Sequence, residues 1–268
     1  MKTLKEMKMK TSMQTRGART ALVALAAALL AGSPAAADEI RLLSAAAMQA
    51  PFKDLVGKFE RQSGHRLLIT YTTMGAITER VLGGETADVV IGSTPSIARL
   101  AEEKRIDADS RVTIAKVGIG LVVPIGSSKP PIRSVADLKR ALLAANTVVY
   151  ARPSGGGAAG IHVAAVIEKL GLTEALKAKT IYGTGGDITE VTFGQGYGAL
   201  GLTQISEIVG KLTAEFVGPL PDELQTYTGI TVGIPAGTEP SQAVTDFIAF
   251  LKSPVAVAAI RAKGMETE

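Results

Sequence analysis

The feature that most constrains the fold is a repeated alternation of short β-branched runs with segments of helical periodicity. Residues 147–151 form one such strand-like run, and residues 158–170 have the apolar spacing of a helix that Gly171 closes. Strands separated by helices of this length need crossover connections, which are almost always right-handed. The alternation therefore predicts an α/β fold with parallel sheets that carry helices on both faces.

Two longer β runs divide this alternation into halves. The first covers residues 117–124 and the second covers residues 228–234. We expect the chain to cross between the halves near Gly120 and Gly229, which gives two Rossmann-like lobes joined by a two-strand hinge. A double connection of this kind permits hinge closure, because a few residues absorb the rotation. The expected lobes are residues 38–120 with 230–268 for lobe 1, and 121–229 for lobe 2.

Residues 1–37 have the pattern of a cleaved export signal. A basic stretch precedes the apolar run 21–31, and Ala35, Ala36 and Ala37 supply a small-residue cleavage site. The apolar run is too short for a membrane-spanning helix, which needs about 20 apolar residues. We therefore expect an exported protein that begins at Asp38, with an uncleaved membrane anchor as the alternative.

Loss of the export signal changes the net charge of the protein. The signal contains six of the 29 lysines and arginines and one of the 25 acidic residues, which leaves 23 positive and 24 negative side chains. A formal charge of about −1 gives no support for nucleic-acid binding. The chain has no cysteine and two histidines. With no carboxylate cluster at ligand spacing either, we predict neither a metal site nor a cofactor.

Four corners between a strand and a helix combine small and polar residues. Ligands of open α/β sheets bind at the carboxyl ends of the strands, where helix N-termini present unpaired N–H groups and a positive dipole. We expect the corners, two from each lobe, to form one anion site. The alternative is that the small residues only permit close packing of helices. The corners are Leu43 to Met48, Tyr71 to Ala76, Ala151 to Ala159 and Gly201 to Gln204.

Arg152 is the strongest single indication of an anion ligand. It follows a predicted strand, and its planar guanidinium suits bidentate binding of a carboxylate. An ordinary surface arginine is the alternative interpretation. His162 falls near the start of the next helix, where it faces either the cleft or solvent.

Four ordered segments indicate a family. Ile40 to Ala47, Ala87 to Ser93, Ala159 to Gly171 and Ala199 to Leu202 follow one another with the spacing of a known group. In these segments the chain resembles the periplasmic molybdate-binding proteins, which have the type 2 periplasmic-binding fold. The resemblance covers nearly all of the chain after residue 37. It implies a periplasmic monomer that closes on a small anion and delivers it to an ABC-type permease.

The resemblance also implies a set of site residues. Family members hold a tetrahedral oxyanion with hydroxyl groups and backbone amides. The serine at the first corner corresponds to Ala47, the second serine to Met74 or Thr73, and the tyrosine after the last strand to Gln204. Amides near Ala159 and Ile188 remain as donors. The complete predicted ligand-binding set is Ser44, Ala46, Ala47, Thr72, Thr73, Met74, Arg152, Ser154, Ala159, Ile188 and Gln204.

These departures favour a different ligand. Each missing hydroxyl donor costs a buried anion about 1–3 kcal/mol, and Arg152 stands where the family usually has an acidic residue. We therefore expect a small organic acid, such as a di- or tricarboxylate, rather than molybdate.

Aconitate isomerase is similar to the same family, so interconversion of trans- and cis-aconitate is the alternative function. Its acid or base would be Tyr71, His162 or a carboxylate in the cleft. A chemosensory partner protein is a third possibility. We expect a binding protein rather than an enzyme.

Overall fold

The structure is a computed structural model that describes residues 37–267. The predicted export signal therefore lies outside the described residues, apart from Ala37. Within the described range the chain forms nine strands. They are β1 (Glu39–Ala45), β2 (Arg66–Thr72), β3 (Val89–Ser93), β4 (Val112–Pro124), β5 (Thr147–Ala151), β6 (Thr180–Gly183), β7 (Ala199–Gln204), β8 (Ala214–Pro219) and β9 (Tyr227–Gly233).

Ten α-helices alternate with these strands in the described part of the chain. Short 3-10 turns occur as well, of which Ala46–Met48 and Pro153–Gly155 precede helices. The helices are α1 (Gln49–Ser63), α2 (Met74–Leu82), α3 (Thr94–Glu102), α4 (Val135–Ala144), α5 (Ala158–Lys169), α6 (Thr173–Lys177), α7 (Ile188–Gly194), α8 (Ile205–Ile208), α9 (Gln242–Leu251) and α10 (Pro254–Arg261).

Local sequence signals fix many of the helix ends. Ser134, Ser241 and Ser253 each cap a helix, because the side-chain oxygen accepts a hydrogen bond from an amide in the first turn. A cap of this kind stabilises a helix by about 1 kcal/mol. Gly64 ends α1 in the left-handed conformation with φ of 79°, which a glycine adopts without strain.

The strands form one mixed sheet in the order β2-β1-β3-β9-β4-β7-β5-β6, with β8 also paired to β4. The βαβ units are parallel as expected, since β1 pairs in parallel with β2 and β3, and β5 with β6 and β7. The expectation of parallel sheets is wrong at β4 and β9, which pair antiparallel, as does the additional strand β8. A buried strand has the same apolar run in either direction, so its sequence does not reveal its orientation.

Buried apolar side chains form two large clusters that separate along β4. Val117 belongs to the first cluster and Ile119 to the second, and the division recurs between Leu224 and Ile230. The molecule is thus an α/β fold of two Rossmann-like lobes, which β4 and β9 join. The expected limits of the lobes, at residues 120 and 230, remain a prediction.

The first cluster draws on both ends of the described chain. Phe247 of α9 packs against Phe59 and Phe52 of α1, with ring centroids 5.2 and 6.1 Å apart. Within residues 37–267 no single helix has the length and hydropathy to cross a membrane. The bent pair α9 and α10 reaches that threshold only jointly, and both helices bury apolar faces in this cluster.

The side chain of Gln225 supports β4 where the strand changes partners. The pairing of β4 with β9 ends at Gly118, and its pairing with β7 begins at Ile119. The Gln225 Oε1 accepts a hydrogen bond from the Ile119 amide at 2.8 Å, and the Gln225 Nε2 donates to the Ile119 carbonyl at 2.9 Å. A side-chain amide thus satisfies backbone groups at the crossing between the lobes.

Candidate functional site

A small cavity lies where the carboxyl ends of β1, β2, β5, β6 and β7 meet the helices that follow them. Its volume is about 40 Å³. Small residues, backbone amides and a few polar side chains form its wall. The lining residues are Ala45, Ala46, Ala47, Thr72, Thr73, Met74, Ala151, Gly157, Ala158, Ala159, Gly160, Gly185, Gly186, Thr203, Gln204 and Glu207.

On the side of lobe 1, the start of α2 faces the cavity. Thr73 is the N-cap of α2, and its Oγ1 accepts a hydrogen bond from the Ala76 amide at 3.2 Å. This bond satisfies one of the unpaired amides at the helix start. The amides of Met74 and Gly75 precede the first position that can bond within the helix, so they are suited to an external acceptor. The helix dipole adds positive potential at the same place.

On the side of lobe 2, the start of α5 occupies the equivalent position. Its N-cap is Gly157, and no side-chain hydrogen bond caps the first turn. The helix begins very close to the end of β5, because a Cβ atom on Gly160 would lie 2.3 Å from the carbonyl oxygen of Ala151. Glycine at position 160 therefore brings the first-turn amides up to the strand ends and into the cavity wall.

The two sides of the cavity are in contact. The Thr73 Oγ1 donates to the carbonyl oxygen of Gly155 at 3.3 Å. Gly75 and Gly156 meet backbone to backbone, since a Cβ atom on Gly75 would lie 2.9 Å from the Gly156 Cα. Gly156 has φ of 69°, which favours glycine there. The structure therefore has a closed cleft, and two glycines permit that closure.

Polar side chains enter the cavity from the end of β7 and the turn that follows it. Gln204 is buried, and Glu207 lies on α8. The hydroxyl of Thr203 donates a hydrogen bond to the Glu207 Oε2. Burial raises the pKa of the Glu207 carboxyl above its ordinary value, against the lowering effects of the Thr203 hydrogen bond and the Lys211 charge. Among the described lining residues, Glu207 is the one with an ionisable side chain.

Comparison with known proteins identifies the family. Residues 40–266 match the family model of the bacterial extracellular solute-binding proteins. This chain belongs to that family. The molybdate-binding protein ModA of Azotobacter vinelandii is 30% identical over 253 residues, which cover 91% of this chain and 95% of that protein.

Two further comparisons concern this solute-binding protein. Aconitate isomerase of a Pseudomonas species is 26% identical over 258 residues, with 92% of this chain and 97% of the enzyme covered. The solved structure of the Azotobacter vinelandii periplasmic molybdate-binding protein matches with a TM-score of 0.68 and 22% identity, over 85% of this chain and 99% of that chain. The expected type 2 periplasmic-binding fold is confirmed.

Seven predicted residues of the solute-binding protein line the cavity. They come from all four predicted corners, with Gln204 at the end of β7, so the topology brings these segments together. Their contact with a ligand remains a prediction. The seven are Ala46, Ala47, Thr72, Thr73, Met74, Ala159 and Gln204.

Ser44 and Ile188 do not line the cavity. Ser44 is fully buried within β1, where its hydroxyl lies 3.4 Å from the Ala45 carbonyl oxygen. The Ile188 amide donates to the Gly185 carbonyl oxygen at 3.2 Å, and its side chain packs in a small cluster with Val149. Gly185 and its neighbour reach the cavity in place of Ile188.

Arg152 and Ser154 also lie outside the cavity wall. The guanidinium of Arg152 is exposed and stacks on the ring of Tyr182, 4.5 Å from its centroid. Cation–π stacking of this kind stabilises the side chain in that direction. Ser154 is exposed on the turn Pro153–Gly155. The ligand-binding roles of Arg152 and Ser154 remain predictions, and in this structure neither residue lines the cavity.

Neither of the named acid–base candidates lines the cavity. The His162 Nε2 lies 2.7 Å from the Leu224 carbonyl oxygen, and His162 is not among the lining residues. Burial raises the pKa of Tyr71 to about 12, so its phenol is neutral at ordinary pH. The carboxylate in the cleft is Glu207.

Sequence reasoning missed Gly185, Gly186 and Glu207. The glycine pair follows the strand β6, so it forms a further strand-end corner with small residues. Glu207 stands three positions after Gln204, in the turn that follows a predicted corner. A search for ionisable residues one helical turn beyond each corner would have found it.

Proposed function

We propose that this chain is a periplasmic solute-binding protein that closes on one small anion and delivers it to an ABC-type importer. The observation that carries this proposal is the small cavity between the start of α2 and the start of α5. Helix N-termini attract anions through unpaired N–H groups and the helix dipole. The two helix starts belong to opposite lobes, so an anion bound to both would hold the lobes together.

The size of the cavity favours a compact anion. A volume of about 40 Å³ accommodates three or four water-sized groups, given that one water needs roughly 10–15 Å³. This matches the oxygen atoms of a tetrahedral oxyanion or of one carboxylate with its substituent. A tricarboxylate needs a wider opening of the lobes.

The position of Arg152 changes the preference that its sequence context suggested. The sequence favours a carboxylate because the planar guanidinium of Arg152 suits bidentate binding. With that guanidinium stacked on Tyr182, the described cavity wall contains no cationic side chain. Backbone amides and the Gln204 side chain then supply the donors, because the Thr73 hydroxyl already donates to the Gly155 carbonyl oxygen. These donors favour an oxyanion or a small acid with one charged group.

The resemblance supports the remaining parts of the proposal. The resemblance implies export by a signal, a monomeric state and delivery of the anion from the closed form to a permease. Residues 1–37 have the corresponding signal pattern. The molybdate-binding relative from Azotobacter vinelandii provides the precedent for an oxyanion ligand.

A thermal-shift panel tests the proposed ligand class. We expect one of molybdate, tungstate, sulfate, phosphate, citrate and trans-aconitate to raise the Tm in a saturable way, with a compact oxyanion giving the largest shift. A ligand at 100 times its Kd adds about 2.7 kcal/mol to the free energy of unfolding, or roughly 5–10 °C for a chain of this size. Sodium chloride at the same ionic strength is the control. No saturable shift with any anion would contradict the proposal.

An aconitate isomerase is the second candidate. The Pseudomonas enzyme aligns over 92% of this chain, and Glu207 places a carboxyl of raised pKa in the cavity wall. A proton shift on a tricarboxylate needs such a group. Incubation of the purified protein with trans-aconitate, followed by chromatography, tests this function. Absence of the cis isomer after long incubation would exclude it.

A further inference from the structure

Glu207 is a carboxyl group in the wall of a cavity that is otherwise built for anions. It lies on α8, one turn beyond Gln204, and its side chain reaches back to the end of β7. There its Oε2 accepts the hydrogen bond from the Thr203 hydroxyl. Thr203 also lines the cavity, so this pair belongs to the wall itself.

The charged side chains around Glu207 form no ion pair with its carboxyl in the described part of the chain. The cation whose charge acts on Glu207 is that of Lys211, and the Lys211 Nζ donates to the Glu190 Oε1 at 2.6 Å. Lys211 favours the ionised form of Glu207 only through its charge, whereas Asp187 and Glu190 disfavour that form. Burial disfavours the ionised form most strongly and raises the pKa of Glu207. The carboxyl therefore gains a proton at a higher pH than an ordinary glutamate does.

An anion in the same cavity adds a second negative charge near the carboxyl. Two like charges that share a site raise the pKa of one of them strongly. Once protonated, the carboxyl has an O–H donor. The Thr203 hydroxyl occupies the Oε2, and within residues 37–267 no hydrogen bond to the Oε1 is found, so the Oε1 is the oxygen suited to carry the proton.

We propose that Glu207 binds the anion as a neutral carboxylic acid, so that the site takes up one proton from solvent with each anion. This inference rests on the proposed anion-binding function. It specifies the ligand of that site further as an anion plus one proton. The ligand-free carboxylate gains the proton at its Oε1, and the resulting O–H donates to the anion.

The expected dependence on pH follows from this proton count. Below the pKa of Glu207 in the ligand-free protein the carboxyl is already neutral, so affinity does not vary with pH. Above that pKa, each pH unit weakens affinity about tenfold, because binding must also bring in a proton. The window lies above the ordinary glutamate pKa, since burial raises the value.

Isothermal titration in buffers of different ionisation enthalpy measures the proton uptake. Sulfate, molybdate and tungstate remain fully ionised above neutral pH, so with these probes any proton gained belongs to the protein. We expect nearly one proton per anion for the wild type. Glu207→Gln, which replaces the acid with a neutral donor of the same shape, should take up none and bind with the same affinity at every pH in the window.

Two further variants sharpen the test. Glu168→Gln removes an exposed carboxyl from α5 and should keep the wild-type proton uptake. Thr203→Val removes the hydrogen bond that favours the ionised form, so it should move the onset of the pH dependence to higher pH. This variant also provides a test if Glu207→Gln does not fold.

The outcomes separate the two proposals. Binding of an anion without proton uptake, or an unchanged pH dependence in Glu207→Gln, would overturn the role of Glu207 while leaving anion binding intact. Failure of every probe in the thermal-shift panel would instead contradict the anion-binding function, and the role of Glu207 with it.

Discussion

Gly75→Ala is expected to weaken anion binding about 100-fold while leaving the ligand-free protein as stable as the wild type. The added Cβ would lie 2.9 Å from the Gly156 Cα and 3.2 Å from its carbonyl oxygen, so the lobes cannot approach as closely. Loss of two hydrogen bonds to a charged ligand, at about 1.5 kcal/mol each, accounts for a change of this size. Titration calorimetry with the anion that the panel identifies gives the affinity.

The stability of this variant distinguishes blocked closure from misfolding. Gly75 lies in the first turn of α2, where alanine is favoured over glycine by up to about 1 kcal/mol. The open form relieves the steric contact, so the Tm without ligand should stay the same or rise slightly. Gly194→Ala, at the exposed end of α7 with no atom near the new Cβ, is the matched control. Wild-type affinity in Gly75→Ala would contradict the closed arrangement as the binding form.

Gly160→Ala should lower the free energy of unfolding by about 3 kcal/mol, since overpacking of a tight interior costs typically 1–3 kcal/mol and occasionally more. The new Cβ would lie 2.3 Å from the oxygen and 2.9 Å from the carbon of the Ala151 carbonyl. Both atoms are backbone of β5, so neither can turn away as a side chain does. Urea denaturation followed by circular dichroism measures the loss.

The same variant should also impair the site. Relief of the contact requires α5 to move away from β5, which withdraws the amides of Ala158 and Ala159 from the cavity wall. Gly155→Ala is the control, because nothing lies within 4 Å of its new Cβ; it should change stability by less than about 0.5 kcal/mol. A Gly160→Ala protein of wild-type stability would indicate that α5 does not begin against the strand end.

Elements with local signals could be predicted from the sequence. The strand 147–151 and the helix that begins at residue 158 occur where periodicity places them. The strand β8 was not predicted, because Ala214–Pro219 is a partly exposed segment without a continuous apolar run. The antiparallel orientation of β4 and β9 could not be predicted either, because it depends on partner strands that are distant along the chain.

The candidate site also has a part that the sequence predicts and a part that it does not. The strand-end rule predicted the corners at Thr73, Ala159 and Gln204, because topology alone brings such corners together. The direction of a long side chain could not be predicted from the sequence. The guanidinium of Arg152 turns to Tyr182 on a neighbouring strand, and the pattern around Arg152 contains no signal for that contact.

The division of the core along β4 has a consequence for how the molecule assembles. All residues of the second cluster lie between Ile119 and Leu224, so this half is continuous and can form as soon as that segment is available. The first half needs Phe52 and Phe59 from early in the chain and Phe247 from late in it. The first half of the core cannot be completed before the last helices are synthesised. An early stop in translation therefore prevents the first half from forming and leaves the second half able to form.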